Sequence, residues 1–151
     1  MEDWTYYPPP IDETYGLGTR SDVIQGERVF GHTGSIRGYD AAMWHFPETD
    51  MTISVLTNLG RIEANPIVDA LAAVAYPAAH GTGVAGPVGN LPARLPAAQQ
   101  TVTGRRAASL STVDAAALQT ILDKQRVARH IPGAAAAVIL PDGSIWKSGA
   151  P

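Results

Sequence analysis

The sequence of 151 residues contains no cysteine. That absence excludes disulfide bonds, a thiolate nucleophile and every zinc site built on cysteine ligands. Only 17% of the residues are charged and the net charge is -3. Lysine and arginine form no block, so the charge pattern typical of nucleic-acid-binding proteins is missing. We therefore expect neither a nucleic-acid partner nor a cysteine-based metal centre.

Long apolar runs are also missing. The longest, at residues 134–140, is far shorter than the roughly 20 residues that span a bilayer. The first ten residues, MEDWTYYPPP, have neither a basic stretch nor an apolar core, so we expect no signal peptide there. These absences predict no membrane segment and leave the cellular location open. With 45% apolar residues, the chain should fold as a single domain over residues 1–151.

Proline, glycine and alanine dominate the middle of the chain. Residues 78–106 show no sustained hydrophobic period, which is typical of a linker or an extended surface crossing. A stretch of that length without secondary structure is unusual inside a compact domain. It separates a first part, residues 1–77, from a last part, residues 107–151.

The first part begins with strand patterns. They occur in TYGLGT, ERVFGHTG, YDAAMWHF and MTISVLTN, and residues 47–50 predict a hairpin turn between the last two strands. In MTISVLTN the alternation places Met51, Ile53 and Val55 in the core, with Leu56 as a further candidate.

A helix is predicted next. Asn65 can cap its first turn, Pro66 suits the first helical position and Pro77 is expected to end it. The spacing i, i+4, i+7 gives the helix one apolar face: Ile67, Leu71 and Val74.

The last part predicts a helix and then a β-hairpin. Residues 111–114 resemble a capping box with aspartate in place of glutamate, and residues 132–133 end the helix. AAAAVIL is typical of a strand, residues 141–143 of a turn and SIWKSGA of a returning strand. The helix presents a stripe on one side: Leu118, Ile121, Leu122 and Gln125.

Two stretches together resemble one family. TYGLGT and GHTGSIRGYDAAMWHFPETDMTISVLTN resemble the last third of the penicillin-recognising serine hydrolases, which include the serine β-lactamases, the DD-carboxypeptidases and related esterases. HTG in place of KTG, followed by a GY pair, is similar to the DD-carboxypeptidase and class C-like branch. The last part, from TVDAAALQ to KSGAP, resembles the start of the same fold.

The resemblance implies an α+β fold: a five-stranded antiparallel sheet with the family's first and last helices side by side on one face. In that family the helix and hairpin come first, the HTG strands come last, and an all-helical region lies between them. Here the order is reversed. We interpret it as an engineered circular permutation without the helical region, with GTG at residues 81–83 as the candidate join. A fragment that spans two tandem copies of the domain would show the same order, with the end of one copy followed by the start of the next.

Acyl transfer in this family needs a serine nucleophile, a lysine base, a second proton carrier and an oxyanion hole. Ser-x-x-Lys occurs once, from Ser144 to Lys147, in a predicted strand where positions i and i+3 face opposite sides. Tyr-x-Asn does not occur. Residues 21–23 match only the first two residues of Ser-Asp-Asn, and we predict that they lie in a turn. We therefore predict a hydrolase part that is not catalytic alone, with a weak esterase using Ser35 or Ser144 as an alternative.

By the resemblance, the HTG strand would form the substrate edge. His32 would supply polarity or charge near a substrate carboxylate, and Thr33 would donate a hydrogen bond to that carboxylate. Gly34 would let the ligand lie against the strand, and the Ser35 N–H would be one oxyanion donor. The alternative is a plain strand edge that binds nothing. The four histidines lie far apart in sequence, so no metal and no cofactor are expected.

Loss of the helical region would uncover the edge of the HTG strand, and uncovered edges pair with other chains. We expect a homodimer through that edge or association with a separate helical subdomain. A scaffold or binding module that acts through the edge is an alternative function. Trp4, Tyr6 and Tyr7, with the adjacent PPP, could dock as an extended arm or serve as a polyproline ligand for another protein. His45 is expected to be a surface or packing residue on a strand, and His130 is expected to cap a helix.

Overall fold

A computed structural model of the chain describes residues 15–16, 18–80 and 113–151. Seven strands and two helices follow one another in this part of the chain: β1 Tyr15–Gly16, β2 Thr19–Ile24, β3 Glu27–Ile36, β4 Tyr39–Phe46, β5 Met51–Thr57, α1 Asn65–His80, α2 Ala115–Ala128, β6 Ala134–Ile139 and β7 Ile145–Ala150. The predicted join at residues 81–83, most of the predicted linker, and the aromatic residues 4, 6 and 7 lie outside the described residues.

The seven strands form one antiparallel sheet whose spatial order follows the chain order, β1 to β7. Successive strands are connected as hairpins, except β5 and β6, which pair although both helices lie between them in the chain. The α+β class is confirmed, but the count of five strands was wrong, because β1 and β2 extend the sheet beyond β3.

The two extra strands explain why the prediction failed. TYGLGT is not one strand, because Tyr15 pairs with Arg20 and Gly16 with Thr19 around a tight turn. Gly18 has a φ of 77° in that turn, a value that favours glycine. Residues 21–23, predicted to lie in a turn, belong to β2 instead. The polar sequence TRSD carries little hydrophobic alternation, so β2 had no clear signal.

Both helices pack on the same side of the sheet, α1 against β4 and β5 and α2 against β6 and β7. We call this side the helix face. It holds the core, in which Trp44, Ile53 and Val138 from three neighbouring strands are buried. The predicted core positions of β5 are confirmed, but Leu56 is 58% exposed because it points to the other side.

The opposite side of the sheet, which we call the open face, carries the residues that alternate with the core. Trp44 is buried whereas its neighbour Met43 is 55% exposed, which shows the alternation within one strand. Large apolar side chains are exposed along this face in six strands: Val23, Phe30, Ile36, Tyr39, Met43, Leu56, Ile139 and Ile145.

Helix α1 differs from its prediction at both ends. The N–H groups of Ile67 and Val68 donate to the Ala64 carbonyl at 3.0 and 3.3 Å. The side chain of Asn65 does not cap the helix, because its Oδ1 accepts from the indole N–H of Trp44 at 2.8 Å. Pro77 lies inside the helix, which continues to His80. Proline removes one N–H donor but does not prevent the residues after it from adopting helical geometry.

Helix α2 is capped by a single carboxylate. Asp114 Oδ1 accepts from the N–H groups of Ala116 and Ala117, each at 3.0 Å. The predicted capping box was therefore wrong. It placed Asp114 three residues after the N-cap, whereas Asp114 is itself the N-cap. At the other end, His130 has a φ of 53° and its backbone N–H donates to the Val127 carbonyl at 3.1 Å. It closes the helix through its backbone.

Candidate functional site

Strand β3 changes its environment halfway along. Its pairing with β2 ends at Arg20↔Gly31, whereas its pairing with β4 continues to Ile36↔Tyr39. Among the described strands, none pairs with residues 32–36 on the side away from β4. We call this segment the open edge. It contains the complete HTG sequence, and its unpaired backbone groups can accept an extended ligand.

Two glycines of β3 lie at the open edge, Gly31 directly before it and Gly34 within it. A Cβ at Gly31 would lie 1.9 Å from the Met43 carbonyl oxygen, so only glycine permits the close approach of β3 and β4 there. A Cβ at Gly34 would meet nothing within 4 Å. The first glycine is thus required by packing, and the second leaves open space beside the strand.

His32 is held by two neighbours. Its Nδ1 lies at hydrogen-bond distance from the Thr33 carbonyl oxygen, and its Nε2 is 3.3 Å from the Tyr15 hydroxyl. The two rings meet edge to face, with centroids 5.4 Å apart and planes at 82°. When Nδ1–H donates to the carbonyl, Nε2 keeps its lone pair and accepts the Tyr15 O–H. Tyr15 was not among the predicted site residues.

Asp40 lies directly opposite Ser35 in the β3–β4 register and is 6% exposed. Hydrogen bonds from the Ser35 hydroxyl, then from the Ile62 N–H at 2.9 Å and from the Arg61 backbone, hold the pKa of Asp40 below its usual value. The Ser35 hydroxyl therefore donates to a buried carboxylate, and Asp40 connects the open edge to the loop before α1.

Thr33 and Ser35 open into a polar cavity of about 490 Å³. Arg20, Arg61 and Glu63 also line it. The two guanidinium groups and the two hydroxyls can donate hydrogen bonds in this cavity, and the carboxylates of Asp40 and Glu63 lie in the same lining. Neither arginine was predicted as a site residue, because only the pairing of β2 with β3 and the fold of the loop before α1 bring them to the HTG strand.

A second cavity, an apolar groove of about 880 Å³, also adjoins the open edge. Ile36, Tyr39, Leu56 and Ala135 contribute to its lining. The groove and the polar cavity share Ser35 in their linings, together with its neighbours on β3 and β4. A ligand at the open edge would thus meet a polar compartment and an apolar one.

The structure does not bring the Ser-x-x-Lys sequence to this site. The Ser144 hydroxyl donates to Asp142 Oδ1 at 2.5 Å in the turn before β7, and this bond helps to hold the pKa of Asp142 low. Lys147 lies in β7, opposite Ala137. Strands β4, β5 and β6 separate β7 from β3.

Other predicted residues have ordinary surroundings. His45 lies on β4, where its Nδ1 is 3.1 Å from the Thr52 hydroxyl. Over the described ranges, no group of three or more histidine, aspartate or glutamate side chains could hold a metal ion. Neither of the two described helices is long and apolar enough to cross a membrane.

A comparison with protein-family models gives a match to the first half of the chain. The sequence model of the Beta-lactamase family matches residues 1–78, which include the open edge and strands β1 to β5. The chain therefore belongs to the Beta-lactamase family, a family of penicillin-recognising serine hydrolases. Comparisons with curated proteins and with solved structures give no match.

Proposed function

We propose that this chain is the α/β part of a serine hydrolase in circularly permuted order. It binds acyl ligands that carry a carboxylate and does not hydrolyse them by itself. The observation that carries the proposal is the open edge at residues 32–36, which is paired only with β4 among the described strands and adjoins a cavity with Arg20 and Arg61.

The ligand lies along β3 as an added strand, bonded through main-chain groups. Its carboxylate accepts a hydrogen bond from the Thr33 hydroxyl and is attracted by the two arginines. The N–H of Ser35 faces the acyl carbonyl as one oxyanion donor. An apolar side chain of the ligand enters the groove formed by Ile36 and Tyr39.

Binding without hydrolysis follows from the surroundings of the serines. A serine nucleophile needs a base within hydrogen-bond reach to take its proton. The Ser35 hydroxyl instead donates to the Asp40 carboxylate, whose lowered pKa makes it a weak base. Ser144 lies in a turn across the sheet from the open edge. A helical subdomain that carries Ser-x-x-Lys and Tyr-x-Asn, added in trans, is the partner that would restore hydrolysis.

The sheet topology supports the permuted order. Strand β5 resembles the end of the family's chain and β6 resembles its start, and the two are paired from Thr52↔Ile139 to Thr57↔Ala134. Helices α1 and α2, which correspond to the family's last and first helices, pack against each other. This is the arrangement that the resemblance implies for the unpermuted domain.

Titration with acetyl-D-alanyl-D-alanine, followed by nuclear magnetic resonance, tests the binding site. We expect chemical-shift changes centred on residues 32–36, and weaker binding of the corresponding dipeptide amide because it lacks the carboxylate. Thr33→Val should weaken binding roughly tenfold through the loss of a hydrogen bond to a charged group. Thr19→Val, an exposed threonine of β2, is the matched control. Equal affinity of the acid and the amide would contradict the proposal.

Intact-mass analysis after incubation with nitrocefin, p-nitrophenyl acetate and a fluorescent penicillin tests the absence of hydrolysis. We expect no added mass. An acyl adduct that disappears in Ser35→Ala or in Ser144→Ala would instead identify the nucleophile of a weak esterase.

The open edge also supports a second candidate function, that of a binding module. The unpaired backbone of residues 32–36 can pair with the same segment of a second copy and extend the sheet across a homodimer. Light scattering over a concentration series should show a dimer whose formation acetyl-D-alanyl-D-alanine inhibits. A monomer at the highest concentration would contradict this proposal.

A further inference from the structure

The loop between β5 and α1, residues 58–64, contains two residues with left-handed backbone geometry. Arg61 has a φ of 65° and Glu63 has a φ of 54°. Residues that carry a Cβ seldom adopt such values, because the Cβ then lies too close to a carbonyl oxygen. Strain of this kind persists only where the surrounding structure enforces it, and it is concentrated at functional sites. The fold therefore holds this loop in one particular conformation.

The residues that alternate with this pair attach the loop to the domain. Ile62 donates its N–H to Asp40 Oδ2 at 2.9 Å and packs against the core. Ala64 is buried. Because these two residues face the domain, the side chains of Arg61 and Glu63 are exposed, and both line the polar cavity next to the open edge. The strained backbone thus presents one cation and one anion to the same cavity.

The charges of the cavity lining balance. Arg20 and Arg61 are positive, and Asp40 and Glu63 are negative. The Asp40 carboxylate is buried and accepts hydrogen bonds from the Ser35 hydroxyl and from the loop backbone. Glu63 is exposed, so it is the acidic group of this lining that a ligand can reach.

This balance restricts the ligand. A ligand that brings only a carboxylate adds a negative charge to a neutral lining and leaves Glu63 next to a like charge. A ligand that also carries an ammonium preserves the balance, because the guanidinium groups attract its carboxylate and Glu63 attracts its ammonium. The volume of about 490 Å³ is within the range of cavities that hold small ligands.

We propose that Glu63 selects ligands whose carboxylate-bearing residue also carries a side-chain ammonium. The inference rests on the function proposed above and narrows its ligand class to acyl dipeptides that end in a basic amino acid. The carboxylate of that residue lies near Arg61, and its side chain extends to Glu63. The loop at residues 58–64 is thereby a specificity loop of the site.

Three matched ligands test the proposal: acetyl-D-alanyl-D-lysine, acetyl-D-alanyl-D-norleucine and acetyl-D-alanyl-D-glutamate. Nuclear magnetic resonance titrations at low ionic strength give their affinities. We expect the lysine ligand to bind roughly twofold to fivefold more tightly than the norleucine ligand, and the glutamate ligand to bind most weakly. Added salt should reduce these differences.

Variants of one residue identify the group that discriminates. Glu63→Gln should abolish the preference for the lysine ligand, and Glu63→Lys should reverse it in favour of the glutamate ligand. Glu48→Gln, which changes an exposed glutamate in the turn between β4 and β5, is the matched control and should keep the preference. Folding of each variant is read from the same spectra, through the signals of the core residues.

The possible failures are distinguishable. Equal affinities of the wild type for the lysine and norleucine ligands would overturn the inference and leave the proposed carboxylate site intact. A lysine preference that persists in Glu63→Gln would also refute the role of Glu63. If none of the three ligands binds, the proposed function itself is wrong, and this inference fails with it.

Discussion

The two faces of the sheet are built from alternate residues of the same strands, yet they have opposite properties. On β4, Trp44 is 1% exposed and Met43 is 55% exposed. The helix face has its apolar side chains covered by α1 and α2 and holds the acidic residues of the described strands. The open face has exposed apolar side chains and cations. Burial of an apolar residue here depends on the direction of its side chain far more than on its type.

Two acidic residues of the helix face, Glu27 and Asp40, tie loops to the sheet. Glu27 Oε1 accepts from the Glu48 N–H at 2.5 Å and so holds the β4–β5 turn. Burial, together with the nearby Glu27 carboxylate, raises the pKa of Tyr76 on α1. Asp40 holds the loop before α1 in the same manner. These two carboxylates therefore stabilise the fold.

The largest effect should come from removing a core side chain of β4. Trp44→Ala creates a cavity and leaves Asn65 Oδ1 without its indole donor, which should cost about 4 kcal/mol of unfolding free energy. Met43→Ala on the open face should change it by less than about 0.5 kcal/mol. Urea denaturation measures both. Similar losses in the two variants would mean that the open face is as well packed as the core.

The two glycines of β3 give the next contrast. Gly31→Ala places a methyl group 1.9 Å from the Met43 carbonyl oxygen, so β3 and β4 must shift, at a cost of about 3 kcal/mol. Gly34→Ala meets no atom within 4 Å and should leave the melting temperature almost unchanged. It should nevertheless weaken binding of acetyl-D-alanyl-D-alanine, because the methyl group occupies the space of the ligand. Unchanged ligand affinity in Gly34→Ala would argue against binding along the open edge.

Asp40→Asn should have a smaller, pH-dependent effect. The pKa of Asp40 is lowered in the folded state, so its charge stabilises the fold above the unfolded value of about 3.9 and ceases to do so as pH falls through the folded value. The variant should lose about 2 kcal/mol at neutral pH, and its difference from the wild type should shrink in acid. Urea titrations at several pH values measure this. A difference that stays constant with pH would contradict it.

The smallest effect should come from the cap of α2. Asp114→Ala removes the acceptor of two N–H groups and should cost about 1 kcal/mol. Asp114→Asn keeps an acceptor oxygen and should be nearly neutral. Thermal unfolding followed by circular dichroism distinguishes the two. Because α2 covers only the helix face, neither variant should alter the signals of open-face residues such as Lys147.

Local patterns predicted much of the fold. Alternation at Met51, Ile53 and Val55 identified β5, and the residues between β4 and β5 identified the hairpin turn. The i, i+4 spacing of Ile67 and Leu71 identified the buried stripe of α1. Each of these signals lies within a few residues of the element that it describes, and each reflects apolar side chains that meet a common core.

The features that the sequence did not predict depend on pairing between residues that are distant in the chain. Strand β2 forms because β3 offers it a partner, and its own residues alternate weakly. The HTG segment could be proposed as a site from its sequence alone, whereas its neighbours in the fold could not. Arg20, Arg61 and Tyr15 reach it only through the sheet and through the loop before α1. The role of Asp40 likewise required its register opposite Ser35.

The agreement between chain order and sheet order has a consequence for folding. Every strand pair except β5 with β6 can form as a local hairpin, on a timescale of microseconds. The β5–β6 ladder joins residues that are far apart, as in the bond from the Gly133 N–H to Asn58 Oδ1, whose partners are 75 positions apart. Its formation must overcome the largest loop-closure entropy in the described sheet. We therefore expect the two halves to meet last at this seam, and the domain to separate there first when it is pulled apart.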